Sequence, residues 1–514
     1  MQQSNSQNNK LIAKNTILLY IRLLFTIVVG LFTSRVILNT LGIDDYGIYN
    51  VVAGVVTMFT LLTGSLSASI SRFLTFNLGK GDFRRLSVVF STSINIMLGM
   101  AIIVAILMEI GGVWFLNNQL NIPNERLYAA NWVFQFSILT FILNLISVPF
   151  NSAIIAHERM SAFAYISILE VSLKLVIVYM LYVSPFDKLI SYAALFAGVA
   201  VIIRIVYGVY CSQHFEECHY KFVYDKSLIK EMGVFAGWNF LGSGAYLFNT
   251  QGVNIVTNVF FGVATNAARG VSNQVEAIAK QFVTNFTTAI NPQITKSYAA
   301  GNLDYTYSLI CKSSKFSYIL MLFFAVPFMF ETEFIMKLWL NKYPIEAPLF
   351  LRLSLWGTMF DLLGNSPAIA AWATGDIKRY YIYVATIGCL VFPLSWVAFS
   401  LGLPAYTSYV IFAIIYIFVL ITKLYIIKGL IKFPVLKYYK EVIIPLFYTT
   451  LVAFIIPLLL YNMLPRVLWS SLIIIVISLP STLIAVYFIG LSANERVNIT
   501  KFIKEKVNNI FHVI

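Results

Sequence analysis

Long uninterrupted apolar runs constrain this chain more than any other feature. Runs of about 20 residues recur along the 514-residue sequence, and each can cross a hydrocarbon layer of roughly 30 Å as an α-helix. The runs do not alternate at every second residue, which disfavours a membrane β-barrel. With 59% hydrophobic and 11% charged residues, a water-soluble fold would lack polar surface. The sequence therefore predicts an all-α polytopic membrane protein.

The apolar runs predict about fourteen transmembrane helices. Their approximate ranges are 16–38, 48–71, 87–112, 128–153, 162–183, 189–210, 233–258, 264–289, 311–330, 348–372, 380–401, 405–427, 442–463 and 467–490. The polar amino terminus leads into the first run without a small-residue cleavage site, so we expect this helix to stay in the protein.

Basic residues predict the orientation. They concentrate in alternate loops, for example Lys80 with Arg84 and Arg85, and Lys378 with Arg379. The opposite loops are short and balanced or acidic. By the positive-inside rule the basic side is cytoplasmic, which also puts both termini inside. This explains most of the net charge of +14, so we expect no nucleic-acid partner.

An internal repeat relates the first six spans to the next six at an offset of about 220 residues. The matching pairs are Gly42 and Gly262, Ile70 and Ile290, Thr75 and Thr295, and Gly81 and Gly301. Because each repeat holds an even number of spans, both enter the membrane in the same direction. The predicted division is an N-terminal six-helix lobe (1–222), a C-terminal six-helix lobe (223–430), and two additional helices with a cytoplasmic tail (431–514).

Four predicted helices carry polar faces that do not suit lipid contact. These positions include Arg22 on the first span, Asn50, Thr57 and Arg72 on the second, Asn239, Ser243, Tyr246 and Asn254 on the seventh, and Asn266, Arg269, Asn273, Glu276 and Lys280 on the eighth. A charged group at mid-bilayer costs about 2.5–3.5 kcal/mol on insertion scales. We therefore expect these residues to line a shared watery chamber. The alternative is that they hydrogen-bond between helices and line nothing.

Two arginines are the strongest candidates for binding an anion. The guanidinium groups of Arg22 and Arg269 stay charged at any working pH and form paired hydrogen bonds with phosphate oxygens. Glu276, together with Asp361 on the tenth span, is a candidate central site for a coupling proton or cation. No phosphate-binding loop, intramembrane metal motif or large soluble domain is present in the sequence. We expect no enzyme activity, no cofactor and no metal.

Other polar residues have local explanations. Glu170 and Lys174 are four residues apart and are expected to form an in-helix pair, while Arg35 and Arg204 are expected to reach the headgroups. A cluster in the segment CSQHFEECH (211–219) contains two cysteines and two histidines. Zinc binding is one interpretation, but the spacing favours a solvated loop.

Three segments resemble the polysaccharide exporter branch of the multidrug, oligosaccharidyl-lipid and polysaccharide (MOP) flippase superfamily, the Wzx-type O-antigen flippases. They are TSRVILNTLGIDDYGIYNVVAGV (33–55), SASISRFLTFNLGKGDFRRL (67–86) and GWNFLGSGAYLFNTQGVNIVTNVFFG (237–262). The resemblance spans essentially the whole chain and lies in patterns rather than in a catalytic signature.

The resemblance implies two six-helix lobes in a V, with the last two helices added as in the lipid II flippase. It implies alternating access for an undecaprenyl-pyrophosphate-linked oligosaccharide, moved from the cytoplasmic to the periplasmic leaflet of a bacterial inner membrane for O-antigen or lipopolysaccharide assembly. Arg22 and Arg269 would belong to a cationic cavity, with Lys280 and Arg72 added by analogy. The expected partners are the substrate, membrane lipids, polysaccharide polymerase and glycosyltransferases.

Two other functions stay open. A cation-coupled multidrug or toxin exporter of the same superfamily would carry acidic cavity residues, whereas the polar faces here are basic and neutral apart from Glu276. A polysaccharide polymerase or ligase would need a sizeable extracytoplasmic loop, and the longest predicted outer loops have about fifteen to seventeen residues.

Overall fold

The structure is a computed structural model that describes residues 2–57, 59–118, 122–340, 343–465, 467–497 and 500. Within these ranges every regular element is helical. The α-helices are α1 (Gln2–Thr57), α2 (Thr60–Lys80), α3 (Phe83–Leu107), α4 (Val113–Asn118), α5 (Asn124–Ala156), α6 (Met160–Val183), α7 (Lys188–His214), α8 (Lys226–Ala299), α9 (Leu303–Leu340), α10 (Ala347–Leu363), α11 (Asn365–Thr374), α12 (Lys378–Cys389), α13 (Val391–Ser400), α14 (Thr407–Ile431), α15 (Val435–Tyr438), α16 (Ile444–Met463) and α17 (Leu468–Ala485).

Several of these helices join into longer rods. Short π-helical turns, Met108–Gly112 and Tyr439–Ile443, connect α3 to α4 and α15 to α16. Single residues separate α10 from α11 and α12 from α13. When α1 and α8 are divided at their bends and the interrupted helices are joined, the described chain contains about fourteen long helices, as predicted. Nine described helical stretches are long and apolar enough to cross a membrane, and α8 is not among them.

The 220-residue repeat is visible in the backbone. Gly42 bends α1 with φ 83°, and Gly262 bends α8 with φ 80°. Gly81 and Gly301, which follow α2 and α8, have φ values of 71° and 75°. Glycine adopts this left-handed region without the steric cost of a Cβ. The glycines matched in the sequence therefore make the same two turns in each repeat.

The predicted boundaries agree with some helices and fall short of others. The predicted spans 233–258 and 264–289 correspond to the two parts of α8, which are separated at the non-helical Gly262, where an outer turn was expected. In contrast, α9 begins at Leu303 rather than at 311. Span 348–372 is interrupted at Gly364, and span 380–401 at Leu390. Polar helix ends can project beyond the apolar layer, so the apolar runs understate helix length.

The described chain divides into two compact units. The first unit comprises Met1–Gly244 with Thr288–Asn302, and the second comprises Ala245–Thr287 with Leu303–Ile514. The predicted lobes 1–222 and 223–430 and the additional segment 431–514 follow the sequence repeat rather than packing, and that division stays a prediction.

The first unit brings α2 and the end of α8 into close contact. A Cβ added to Gly79 would lie 2.7 Å from the carbonyl oxygen of Lys296. Nearby, Lys296 Nζ lies 2.6 Å from Glu158 Oε1, and Gln293 donates to the other carboxylate oxygen at 2.5 Å. Asn15 donates to the backbone carbonyl of Glu158. The connection between α5 and α6 thus fastens both α1 and the carboxyl end of α8.

A second ion cluster in the first unit involves Arg126 at the start of α5. Its guanidinium contacts the carboxylates of Asp45 and Asp187, the latter at 2.6 Å. Asp187 also caps α7 by accepting from the backbone N–H groups of Leu189 and Ile190. Asp45 and Asp187 come from two segments predicted to lie on the outer side, and both carboxylates contact the Arg126 guanidinium.

In the second unit, α10, α16 and α17 each pack against α9, and α14 packs against α10. One part of the core of this unit consists of Val253, Val391, Ile415, Tyr416 and Val419, all less than 8% exposed. A buried ion pair joins Lys315 on α9 to Glu495, with the two charged atoms 2.5 Å apart.

Candidate polar site in the second unit

Arg269 lies in a buried position on α8, the helix with the most polar face. Only 8% of the residue is exposed. Its Nε donates to Asn254 Oδ1 at 2.5 Å and its Nη1 donates to Ser408 Oγ at 3.2 Å. The guanidinium carbon lies 4.9 Å from the centre of the Tyr409 ring. Among the described residues all these partners are neutral, so no carboxylate balances the charge at contact distance.

Tyr409 adds a second polar group beside Arg269. The tyrosine is 5% exposed, and its hydroxyl has no hydrogen-bond partner among the described residues. Buried hydroxyl groups are nearly always hydrogen-bonded. A cation and an unused hydroxyl therefore lie together at this place in the second unit.

Two predicted carboxylates lie further along α8 and on α10. Glu276 accepts a hydrogen bond from Thr358 Oγ1 at 2.6 Å. Lys280, one turn later, places its Nζ 2.9 Å from Asp361 Oδ2. The Lys280 and Asp361 side chains are 29% and 12% exposed. The two predicted coupling residues are thus held differently, one by a hydroxyl and the other by an ammonium group.

Lys423 on α14 belongs to the same region and was not singled out from the sequence. It is 6% exposed and packs against the backbone at Gly364, just after α10. A lysine inside the predicted apolar span 405–427 was the available signal.

The remaining predicted polar residues are distributed over both units. Asn239 and Ser243 lie in the first unit, where the serine contacts the asparagine side chain. Tyr246 is 45% exposed and its ring centre lies 5.9 Å from Lys280 Nζ. Asn266 and Asn273 are both partly exposed on α8.

The first-unit candidates lie beside aromatic rings. The Arg22 guanidinium is 4.6 Å from the Phe163 ring, and that of Arg72 is 4.5 Å from the Phe73 ring. Such stacking stabilises a desolvated cation. The side chains of Asn50 and Thr57 lie outside the described residues, as does that of Arg35.

Among the local explanations, the in-helix pair is confirmed, with Lys174 and Glu170 in contact at 2.5 Å. Arg204 stacks on Phe150 at 4.0 Å, and its contact with headgroups stays a prediction. The expected solvated loop at 211–219 is wrong, because Cys211 lies in α7 and both Cys211 and Cys218 are buried. No group of three potential metal ligands was found in the part of the chain that the structure describes.

Comparison with protein families gives a match over more than half of the sequence. The family model described as "Polysaccharide biosynthesis protein" matches residues 12–298. The chain belongs to the polysaccharide biosynthesis protein family. No curated protein matches this family member significantly by sequence.

Solved structures with the same fold are transporters of the MATE family and the wider MOP superfamily. A MATE protein in its bent conformation has 12% identity and a TM-score of 0.73, with 84% of this chain and 98% of that chain covered. An outward-facing multidrug resistance MATE transporter has 13% identity and a TM-score of 0.68, with 83% and 97% covered. A MOP superfamily transporter from Pyrococcus furiosus has 12% identity and a TM-score of 0.67, with the same coverages. At these identities the likeness establishes the fold of this polysaccharide biosynthesis protein.

Proposed function

We propose that this protein is a flippase in the inner membrane of a bacterium. It carries an undecaprenyl-pyrophosphate-linked oligosaccharide from the cytoplasmic to the periplasmic leaflet by alternating access, for O-antigen or other surface polysaccharide biosynthesis. Its partners are the lipid-linked substrate and the polymerase and glycosyltransferases that use or make it. The family description and the transporter fold support this class of function.

Arg269 is the observation on which the proposal rests. A buried guanidinium with neutral partners is costly in an apolar protein. Arginine cannot discharge by losing its proton, so the cost persists until an anion arrives. A diphosphate presents oxygens that accept two parallel hydrogen bonds from a guanidinium. The unused hydroxyl of Tyr409 supplies a further donor for such a headgroup.

The membrane potential favours the proposed direction. An inside-negative potential drives negative charge outward. Each negative charge that crosses the full field gains about 2.3 kcal/mol per 100 mV. A substrate with a diphosphate therefore needs little further coupling for export.

The test is complementation of surface glycan in a deletion strain. R269A should abolish display while the protein remains inserted and abundant, and R269K should restore display only in part, because a lysine lacks the paired donors. R22A should behave like R269A. R352A is the matched control, because Arg352 lies in the same unit but is paired with Glu333 at 3.1 Å. Normal display in both R22A and R269A would rule out the anion site.

A cation-coupled multidrug exporter is the second candidate, and the buried carboxylates favour it. Glu276 accepts a hydrogen bond from the Thr358 hydroxyl, and carboxylates are the groups that a cationic drug or coupling ion requires. The charge of the binding pocket bears on function in the Pyrococcus furiosus transporter. For that protein, the reverse polarity of the pocket is described as suggesting a different function. Loss of drug resistance in E276Q with unchanged glycan display would favour the exporter.

A polysaccharide polymerase or ligase is a weaker candidate. The longest predicted outer loops, 113–127 and 331–347, are largely helical in their described residues, which include α4 and the end of α9. Such stretches give little space for an extracytoplasmic catalytic site.

A further inference from the structure

Lys423 is a buried ammonium group without a close partner. Although the residue is 6% exposed, it takes part in none of the ion pairs found among the residues that the structure describes. Buried lysines are normally paired. Lys315, also in the second unit, shows the usual arrangement, with its Nζ 2.5 Å from Glu495 Oε2.

The Lys423 ammonium lies one helical turn from Asp361. A Cβ added to Gly364 would meet Lys423 Nζ at 2.9 Å and its Cδ at 2.8 Å. The N–H of Gly364 donates to the carbonyl oxygen of Asp361 at 2.9 Å. Because Gly364 lacks a side chain, Lys423 can approach the end of α10 where Asp361 lies.

Asp361 already has a cation, which is Lys280 at 2.9 Å. Both lysines are close enough to interact electrostatically with this carboxylate, and among the described residues Lys280 is the one in contact with it. Lys280 is partly exposed, whereas Lys423 is buried, and Lys280 lies beside the half-exposed Tyr246. It is the lysine that an incoming ligand would reach.

Lys280 can leave Asp361 at low cost only if another cation takes its place. Removing one member of a buried ion pair strands the other charge, which is far more costly than the net value of the pair. Lys423 can supply the missing cation by a change of side-chain rotamer, because its neighbour Gly364 presents no Cβ. The exchange keeps the carboxylate paired while Lys280 turns to another anion.

We propose that Lys423 is a positioning residue for the diphosphate end of the substrate. It takes over Asp361 when Lys280 leaves that carboxylate to bind the diphosphate. This inference rests on the proposed function for the nature of the anion, whereas the exchange itself depends only on Lys280, Asp361 and Lys423.

The first measurement needs no ligand. Amine-specific labelling of the purified full-length protein, read by mass spectrometry, reports how often the Lys280 amine is free. K423M should slow labelling of Lys280 several-fold, because that lysine becomes the only cation for Asp361. D361N should accelerate it, alone or together with K423M. Equal Lys280 labelling in the wild type and K423M would overturn the exchange.

The second measurement is binding of undecaprenyl diphosphate in lipid nanodiscs, with inorganic pyrophosphate as the probe for the headgroup alone. K423M should weaken binding of the lipid by about tenfold, and K423M/D361N should return it to within about twofold of the wild type, because Lys280 is then released. G364A provides a second variant: it keeps the charge of Lys423 but displaces its amine, and should weaken binding in the same direction. Failure of D361N to restore binding would also overturn the exchange.

The control variant K315M/E495Q removes the buried pair elsewhere in the second unit, and should leave both labelling of Lys280 and binding unchanged. The two proposals fail in different ways. If the labelling pattern holds but the wild type binds neither probe, the flippase proposal is wrong and the exchange stands. If the wild type binds the lipid and K423M binds it equally well, the exchange is wrong and the flippase proposal stands.

Discussion

Single buried charges in this protein are held in three different ways. Lys315 and Glu158 have an opposite charge within 2.6 Å. Arg269 has neutral hydrogen-bond acceptors and a tyrosine ring. Lys423 has neither within contact distance among the residues that the structure describes. A charge with an opposite charge at contact distance is balanced by the protein itself, whereas the charges of Arg269 and Lys423 are not balanced in this way by the described residues.

Glu158 is expected to be structural. Its carboxylate is 3% exposed and accepts from both Lys296 and Gln293. E158Q should lower the free energy of unfolding by about 2 kcal/mol, because a hydrogen bond to a charged group is lost in a buried place. An unfolding titration of the purified protein measures this. E333Q is the control, since Glu333 is 52% exposed in its pair with Arg352, and should change stability by less than about 1 kcal/mol. Equal effects would contradict the structural role of Glu158.

At the scale of helices, glycines mark the positions where a helix bends and where two helices come into close contact. The sequence predicts a break near Gly42 and near Gly262, because the two glycines match in the repeat and lie between predicted spans. Gly79 has a different role, because its missing Cβ admits the backbone of Lys296. The sequence does not reveal this close contact, because the contact depends on a residue far away in the chain.

Gly79 is therefore expected to tolerate no side chain. G79A should destabilise the protein by about 1–3 kcal/mol, because the added methyl group meets backbone atoms that cannot rotate away. G64A on the same helix is the control, since a Cβ at Gly64 meets nothing within 4 Å. It should be neutral or stabilise by up to about 1 kcal/mol. The unfolding titration above measures both, and a larger loss in G64A than in G79A would refute the contact.

At the scale of the whole molecule, the order of rods and the basic loops predict the topology. Phe222 and Asp376 follow α7 and α11 in loops predicted to be cytoplasmic, whereas Phe186 and Ile345 lie in loops predicted to be external. All four residues are exposed, and three of the four native cysteines are buried. Introduced cysteines should therefore report the side of the membrane with little background.

A membrane-impermeant maleimide added to spheroplasts should label F186C and I345C, and should label F222C and D376C only after the membrane is opened. The physical reason is the positive-inside rule, which retains basic loops in the cytoplasm. The unmodified protein is the control for labelling of Cys389, which is only partly buried. Labelling of F222C in intact spheroplasts would reverse the orientation and place the termini outside.

The sequence by itself determined that the chain is helical, polytopic and internally repeated, because apolar run length and loop charge act locally and need no knowledge of distant contacts. It also marked Arg269, Glu276, Lys280 and Asp361 as residues unsuited to lipid. Only the tertiary structure decided which of these charges are neutralised. In the described part of the chain, Lys280 contacts Asp361, Lys423 lies unpaired beside Gly364, and Arg269 has neutral partners. These arrangements depend on which helices pack together, because an ion pair forms only where two distant parts of the chain come within a few ångströms of each other.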